Sequence, residues 1–303
     1  MAIIAQLNSE KEVCVVAHKF FGNLLEDRRV LITGGNRGLG LLMAHRFLEC
    51  GAKVVICSAP QEDVTEAVQQ LKSIDDSYEV MGCRPNLSDE KELEQLMSIL
   101  ESGWGGLDIL INNAGIYPFK PFEDYPQKLF KQVFDVNVTG MFTVSQKAVS
   151  LMKKNPNGGV IINTSSLAGI SGSMANIGYT SSKFAVEGLT LGMARELGKY
   201  KIRVNSVAPA GMEKTDVFGN VQESAGPGAL LGREGNEGFS EALRIAEKTA
   251  NKFSPLGSYR CHPDQVVNVF LFLASDAAGF ISGQTIAVDG ACIWPAANPM
   301  SCL

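Results

Sequence analysis

From Arg29 onward the chain alternates short, unbroken apolar runs with longer amphipathic stretches. Val30, Leu31 and Ile32 predict a strand, residues 34–40 a turn, and residues 41–50 a helix. Residues 53–57 read as the next strand, 64–74 as a helix, 78–83 as a strand, 89–101 as a helix and 107–111 as a strand. One long helix over about 127–154 follows, then a strand from Val160 that ends in Asn163, Thr164, Ser165 and Ser166. A helix carrying Tyr179, a strand at 202–207, a helix at 265–274 and a strand at 284–288 complete the series. Strand and helix alternate throughout, so the pattern predicts right-handed βαβ units and an α/β, doubly wound parallel sheet.

The regularity lapses between Pro209 and about Pro263, where Gly211, Gly219, Gly226, Gly228, Gly232, Gly235 and Gly238 accumulate around one amphipathic piece near 241–252. A long excursion from a strand end is usually a lid or binding loop, so residues 210–262 are expected to cover a ligand. The excursion belongs to one domain spanning 27–303, preceded by an N-terminal extension, 1–26, whose pattern leaves strand, helix and arm open.

Composition narrows the function classes. The 303 residues are 45% hydrophobic, enough for a substantial core, and carry a net charge of −5 with no basic run. Neither nucleic acid nor an anionic membrane surface is an expected partner. The seven cysteines are scattered without a Cys-x-x-Cys pair, which fits reduced thiols and a cytoplasmic location. His18, His45 and His262 lie far apart, so no metal is expected, and the lack of a G-x-S-x-G elbow disfavours a serine hydrolase. No apolar window is long enough to span a membrane.

Two segments carry candidate chemistry. Thr33-Gly34-Gly35-Asn36-Arg37-Gly38-Leu39-Gly40 joins the first predicted strand to the first helix, where glycines let backbone approach a pyrophosphate and the helix N-terminus offers free N–H groups. The second strand ends in Cys57, Ser58 and Ala59, with no acid for a ribose 2′-hydroxyl before Glu62. Arg37 offers a guanidinium suited to phosphate, so NADP(H) is favoured over NAD(H). Further on, Tyr179 and Lys183 stand at i and i+4 on one helix, and an ammonium beside a phenol favours the phenolate. Such a phenol exchanges a proton with a carbonyl or alcohol oxygen. The pair alone would also fit a core aromatic beside a solvated lysine.

Taken together, T-G-x-x-x-G-x-G at Thr33 to Gly40, N-N-A-G at Asn112-Asn113-Ala114-Gly115 and Y-x-x-x-K at Tyr179 to Lys183 make residues 27–290 resemble the short-chain dehydrogenase/reductase family, with its Rossmann fold. The resemblance implies catalytic roles for Asn137, Ser166, Tyr179 and Lys183: Ser166 polarises the carbonyl, with Ser165 the alternative. Tyr179 is then the general acid/base, Lys183 holds the ribose and tunes Tyr179, and Asn137 anchors a relay water. It also implies cofactor contacts from Gly34, Asn36, Arg37, Gly38, Leu39, Gly40, Ser58, Asn113, Ala114 and Gly115, with Tyr179 and Lys183. Asn86 and Leu87 stand where the family often has Asp before an apolar residue, against adenine. Pro209 and Met212 fall at the nicotinamide end, although Ala210 is inserted in the family's P-G-x-x-x-T pattern. A homodimer or homotetramer is implied as well. The expected activity is interconversion of a ketone or aldehyde and an alcohol, with an NAD-dependent dehydrogenase or a non-catalytic dinucleotide-binding regulator as alternatives. Substrate choice is expected from Leu167, Met174 and the excursion, and no anchor names the substrate.

Overall fold

The computed structural model describes residues 22–59, 64–118, 120–171, 176–213, 255–256, 258 and 260–292. Glu62, Met174, most of the predicted excursion with its 241–252 piece, and the extension up to residue 21 lie outside them. In chain order the elements are β1 (Arg29–Thr33), α1 (Gly38–Glu49), β2 (Lys53–Cys57), α2 (Thr65–Ile74), β3 (Val80–Cys83), α3 (Glu90–Trp104) and β4 (Ile109–Asn112). Then come α4 (Gln127–Phe134), α5 (Met141–Met152), β5 (Gly159–Thr164), α6 (Ile177–Leu197), β6 (Ile202–Pro209), β7 (Gly211–Met212), β8 (Arg260–Cys261), α7 (Pro263–Ala274) and β9 (Thr285–Val288).

Seven of these strands form one parallel sheet in the order β3-β2-β1-β4-β5-β6-β9. Successive side chains of each strand divide between two apolar layers. Val30, Ile32, Val54, Ile56, Ile109, Ile111 and Ile162 meet α1, α2 and α7 on one face, whereas Leu31, Val55, Leu110, Ile161 and Val204 meet α3, α5 and α6 on the other. That double burial is the reason the strands read as continuous apolar runs. Across the first layer, Arg46 of α1 forks onto Asp264 of α7 at 2.8 and 3.0 Å, a bidentate pair that ties the last helix to the first.

The strand order reverses between β1 and β4, and a crevice at such a switch point, beyond the carboxyl ends of the strands, is where an open α/β sheet binds ligands. Two expectations need correction. The single helix over 127–154 is divided: a π-helical turn, Asp135–Gly140, separates α4 from α5. The π segment is only six residues long, too short for periodicity to reveal, and Asn137 within it is fully buried. Residues 210–262 are also not irregular at their ends, because β7 pairs in parallel with β8 and Glu213 N–H donates to the Cys261 carbonyl at 3.1 Å. Two-residue strands are too short to show a period.

Candidate active site

The glycine loop and β4 are clamped together at the switch point. The Thr33 hydroxyl oxygen accepts from the N–H groups of Asn113 and Ala114 at 3.0 and 3.1 Å, while the Asn113 side-chain amide donates to the Thr33 and Gly34 carbonyls, both at 3.1 Å. Close approach requires glycine at two places. A Cβ on Gly40 would lie 2.0 Å from the Gly34 carbonyl oxygen, and one on Gly34, whose φ is 65°, would lie 2.9 Å from Ala114 Cα. Gly38, at the first position of α1, has open space within 4 Å of its missing Cβ. A dinucleotide's pyrophosphate fits this chemistry: a glycine-lined turn, open space at Gly38, and the first-turn N–H groups and positive dipole end of a twelve-residue helix with no side-chain cap.

The other predicted cofactor residues are placed as follows. Arg37 is exposed, with extended backbone, immediately before α1, and Asn36 and Leu39 flank the turn. Ser58 is buried at the end of β2; its N–H donates to the Cys83 carbonyl at 3.1 Å and its hydroxyl to the Ala59 carbonyl at 3.3 Å. Asn86 closes a turn by accepting from Ser88 N–H at 3.1 Å, and Leu87 packs where Gly140 lacks a Cβ. Gly115 lies against Asn137, whose Oδ1 is 3.3 Å from the position a Cβ would take. Pro209 ends β6, and Met212 packs against the apolar layer that holds α1 and α7.

Tyr179 lies in the first turn of α6, which is capped by Asn176: the Asn176 Oδ1 accepts from Tyr179 N–H at 3.1 Å. Lys183, one turn on, has its Nζ 5.4 Å from the Tyr179 ring centroid. It is not a solvated lysine. Its side chain runs through the core to donate to the Thr164 carbonyl at 2.7 Å, and burial pushes its pKa down to about 8 against the opposing pull of the Glu187 carboxylate.

Asn137 joins the same group from the π turn. Its Oδ1 accepts from Ile116 N–H at 2.8 Å, and its amide donates to the Ile116 carbonyl and to Ser182 Oγ, both at 3.0 Å. Ser182 in turn donates to the Tyr179 carbonyl at 2.7 Å. The geometry separates the two candidate serines. Ser166 is partly exposed and accepts from Ala168 N–H at 3.1 Å, which uses a lone pair and leaves its O–H to donate. Ser165 is buried, with its hydroxyl packed 2.8 Å from where a Gly169 Cβ would lie.

Sequence reasoning missed Asn176, Ser182 and a buried amide ladder. Asn112 donates to Ser145 Oγ and Asn163 Oδ1, both at 2.9 Å, and Asn163 donates to Thr190 Oγ1 at 2.8 Å, joining β4 and β5 to α5 and α6. A signal existed only for Asn176, since an Asn just before an apolar-periodic run is an N-cap signature. Among the described residues no group of His, Cys, Asp and Glu is arranged to hold a metal ion, and no helix is long and apolar enough to cross a membrane.

Comparison with known proteins supports the same grouping. Residues 28–226 match the family model for short chain dehydrogenases. The chain is 38% identical over 268 residues to a 3alpha-hydroxysteroid dehydrogenase of Mediterraneibacter gnavus, covering 88% of this chain and 98% of the relative. It is 31% identical to (+)-borneol dehydrogenase 2 of Salvia officinalis, covering 87% of this chain and 88% of that one. The solved structure of a short-chain type dehydrogenase/reductase from Mycobacterium marinum superposes with a TM-score of 0.74 at 27% identity, over 92% of this chain and 99% of the other. With a family model matched over residues 28–226 and relatives matched over nearly their whole lengths, the chain belongs to the short-chain dehydrogenase family, as an oxidoreductase of alcohols and ketones with a Rossmann fold and an NAD(P) site.

Proposed function

We propose that this protein is a cytoplasmic NADP(H)-dependent oxidoreductase that interconverts an alicyclic ketone and its secondary alcohol. The observation that carries this reading is the placement of Tyr179 and Lys183 on successive turns, with the ammonium buried against the end of β5 two residues before Ser166, and with Asn137 bonded to Ser182, the neighbour of Lys183. When bound, the dinucleotide supplies or accepts the hydride. Gly34, Asn36, Gly38, Leu39 and Gly40 hold its pyrophosphate, Asn113, Ala114 and Gly115 line its path, and Pro209 and Met212 stand at its nicotinamide end.

The chain's own residues handle the oxygen. Ser166 donates its O–H to the carbonyl oxygen and orients it. Tyr179 gives that oxygen a proton in reduction and takes one from the alcohol in oxidation. Lys183 holds a positive charge where the phenol oxygen becomes negative, and Asn137 keeps the Ile116 backbone and Ser182 in place around the proton path. The substrate class draws on the relatives, which are dehydrogenases of hydroxysteroids and of borneol, both rigid multi-ring alcohols. The 210–262 segment, stitched at its base by β7 and β8, is the proposed lid. Exposed Phe142, Phe184 and Leu191 on α5 and α6 support a homodimer or homotetramer.

The cofactor assignment rests on Ser58 in place of an acid and on exposed Arg37 at the loop. Fluorescence titration with NADPH and NADH tests it. NADPH is expected to bind at least about tenfold tighter, a gap of about 1.4 kcal/mol, and Arg37→Ala to erase the gap; tighter NADH binding overturns it. Turnover of a panel of cyclic ketones, abolished by Tyr179→Phe, tests the reaction and separates it from a non-catalytic dinucleotide-binding regulator.

A further inference from the structure

The Tyr179 ring has an aromatic neighbour in the loop after β4. Tyr117 lies with its ring centroid 4.5 Å from that of Tyr179, the planes inclined at 45°. The backbone on each side of Tyr117 is fastened. Ile116 is held through both its N–H and its carbonyl by Asn137, at 2.8 and 3.0 Å. The Pro118 carbonyl accepts from the Asn176 side-chain amide at 2.8 Å. Asn176 is 7% exposed, and its Oδ1 is the cap on Tyr179 N–H, so one amide joins the first turn of α6 to the loop that carries Tyr117. On the other side, the Tyr125 hydroxyl sits 2.3 Å from where a Gly178 Cβ would be, which blocks that turn from shifting toward it.

We propose that Tyr117 is a specificity-determining residue, selecting rigid ring substrates, and that Asn176 is the positioning residue that holds it against Tyr179; this rests on the reductase reading above. An oxygen that reaches the Tyr179 hydroxyl brings the substrate's carbon frame alongside the adjoining ring. Tyr117 is partly exposed, so it presents an apolar flat wall there. A saturated fused-ring frame covers that wall on docking and removes its apolar surface from water, whereas a short acyclic ketone reaches the same hydroxyl without covering it. Asn176 acts through Tyr117: without its amide the Pro118 end of the loop is released, while Asn137 still holds the Ile116 end.

The test is kcat/KM with NADPH for a fused bicyclic ketone and for a short acyclic ketone, in wild type, Tyr117→Ala, Tyr117→Phe, Asn176→Ser and the Tyr117→Ala/Asn176→Ser double variant. Serine still caps α6 but is too short to reach Pro118, so Asn176→Ser removes the tie and keeps the helix start. Tyr117→Ala is expected to lower the bicyclic-to-acyclic ratio about tenfold, the scale on which apolar pockets discriminate. Asn176→Ser should lower it in the same direction, Tyr117→Phe should restore it relative to Tyr117→Ala, and the double variant should fall no further than Tyr117→Ala alone. Equal losses on both ketones, or multiplicative loss in the double variant, overturn the proposal while the reductase reading stands. A wild type that turns over neither ketone with either cofactor overturns that reading and this proposal with it. If Asn176→Ser does not fold, Tyr117→Ala and its phenylalanine rescue decide the matter.

Discussion

Lys183 Nζ donates to the Thr164 carbonyl at 2.7 Å, so the cation beside Tyr179 is moored to the end of β5 rather than left in solvent. A lysine held this way loses hydration, and burial is the main reason its pKa falls to about 8 from an ordinary 10.5. Between those two values the unfolded chain keeps a proton that the folded chain has released. Stability from this group therefore rises with pH across that window. Lys183→Met has no such titration, so any advantage it holds in denaturant unfolding should be largest below pH 8. That advantage should shrink toward pH 10.5 by on the order of 3 kcal/mol, taking about 1.4 kcal/mol per pKa unit. A difference between the two proteins that does not change with pH would rule out the buried-charge account.

Glu187, one turn beyond Lys183, accepts from the Ser206 hydroxyl at 2.7 Å and from the Thr285 hydroxyl, and its negative charge raises the lysine's pKa. Glu187→Gln keeps an oxygen for both hydroxyls and removes the charge. Lysine titration followed by NMR of 13Cε-labelled protein should then show Lys183 losing its proton at a lower pH than in wild type. An unchanged or raised midpoint would contradict the coupling.

Gly40→Ala sets helix propensity against close packing. Alanine is favoured over glycine inside a helix by about 1 kcal/mol, yet its Cβ would stand 2.0 Å from the Gly34 carbonyl oxygen and 2.7 Å from the Asn113 amide nitrogen. Backbone cannot yield cheaply, so the clash wins. A net destabilisation of about 1–3 kcal/mol in urea unfolding is expected, together with loss of dinucleotide binding in the fluorescence titration.

Asn137→Ala leaves the Ile116 N–H and carbonyl without their side-chain partner. The expected cost is about 1–3 kcal/mol in unfolding. A fall in kcat of about 10²-fold or more is expected if the amide serves the proton path. Loss of stability with kcat intact would leave Asn137 a structural residue only.

The legible part of this molecule is what repeats locally. Apolar runs mark strands covered on both faces, glycines mark the turn at the β1 end, and the i, i+4 spacing brings Tyr179 and Lys183 together, because each follows from backbone geometry within a few residues. The π turn was not legible, since a six-residue segment is too short for an apolar rhythm to register the change of pitch. Ser166 over Ser165 came from the family resemblance and not from periodicity, and the different surroundings of the two, Ser165 buried and Ser166 partly exposed, were not legible.

The sequence by itself determined the sheet and the glycine loop, and it nominated Asn137, Ser166, Tyr179 and Lys183 as candidates for the site. Only the tertiary structure decided what those residues touch: that Lys183 ends on Thr164, that Asn137 reaches Ser182 at a separation of 45 residues, and that Asn176 fastens Pro118 at a separation of 58. Local periodicity encodes which face of an element is apolar. Contacts between distant loops arise only when the sheet closes its layers and sets the strand ends side by side, and no local rhythm records them.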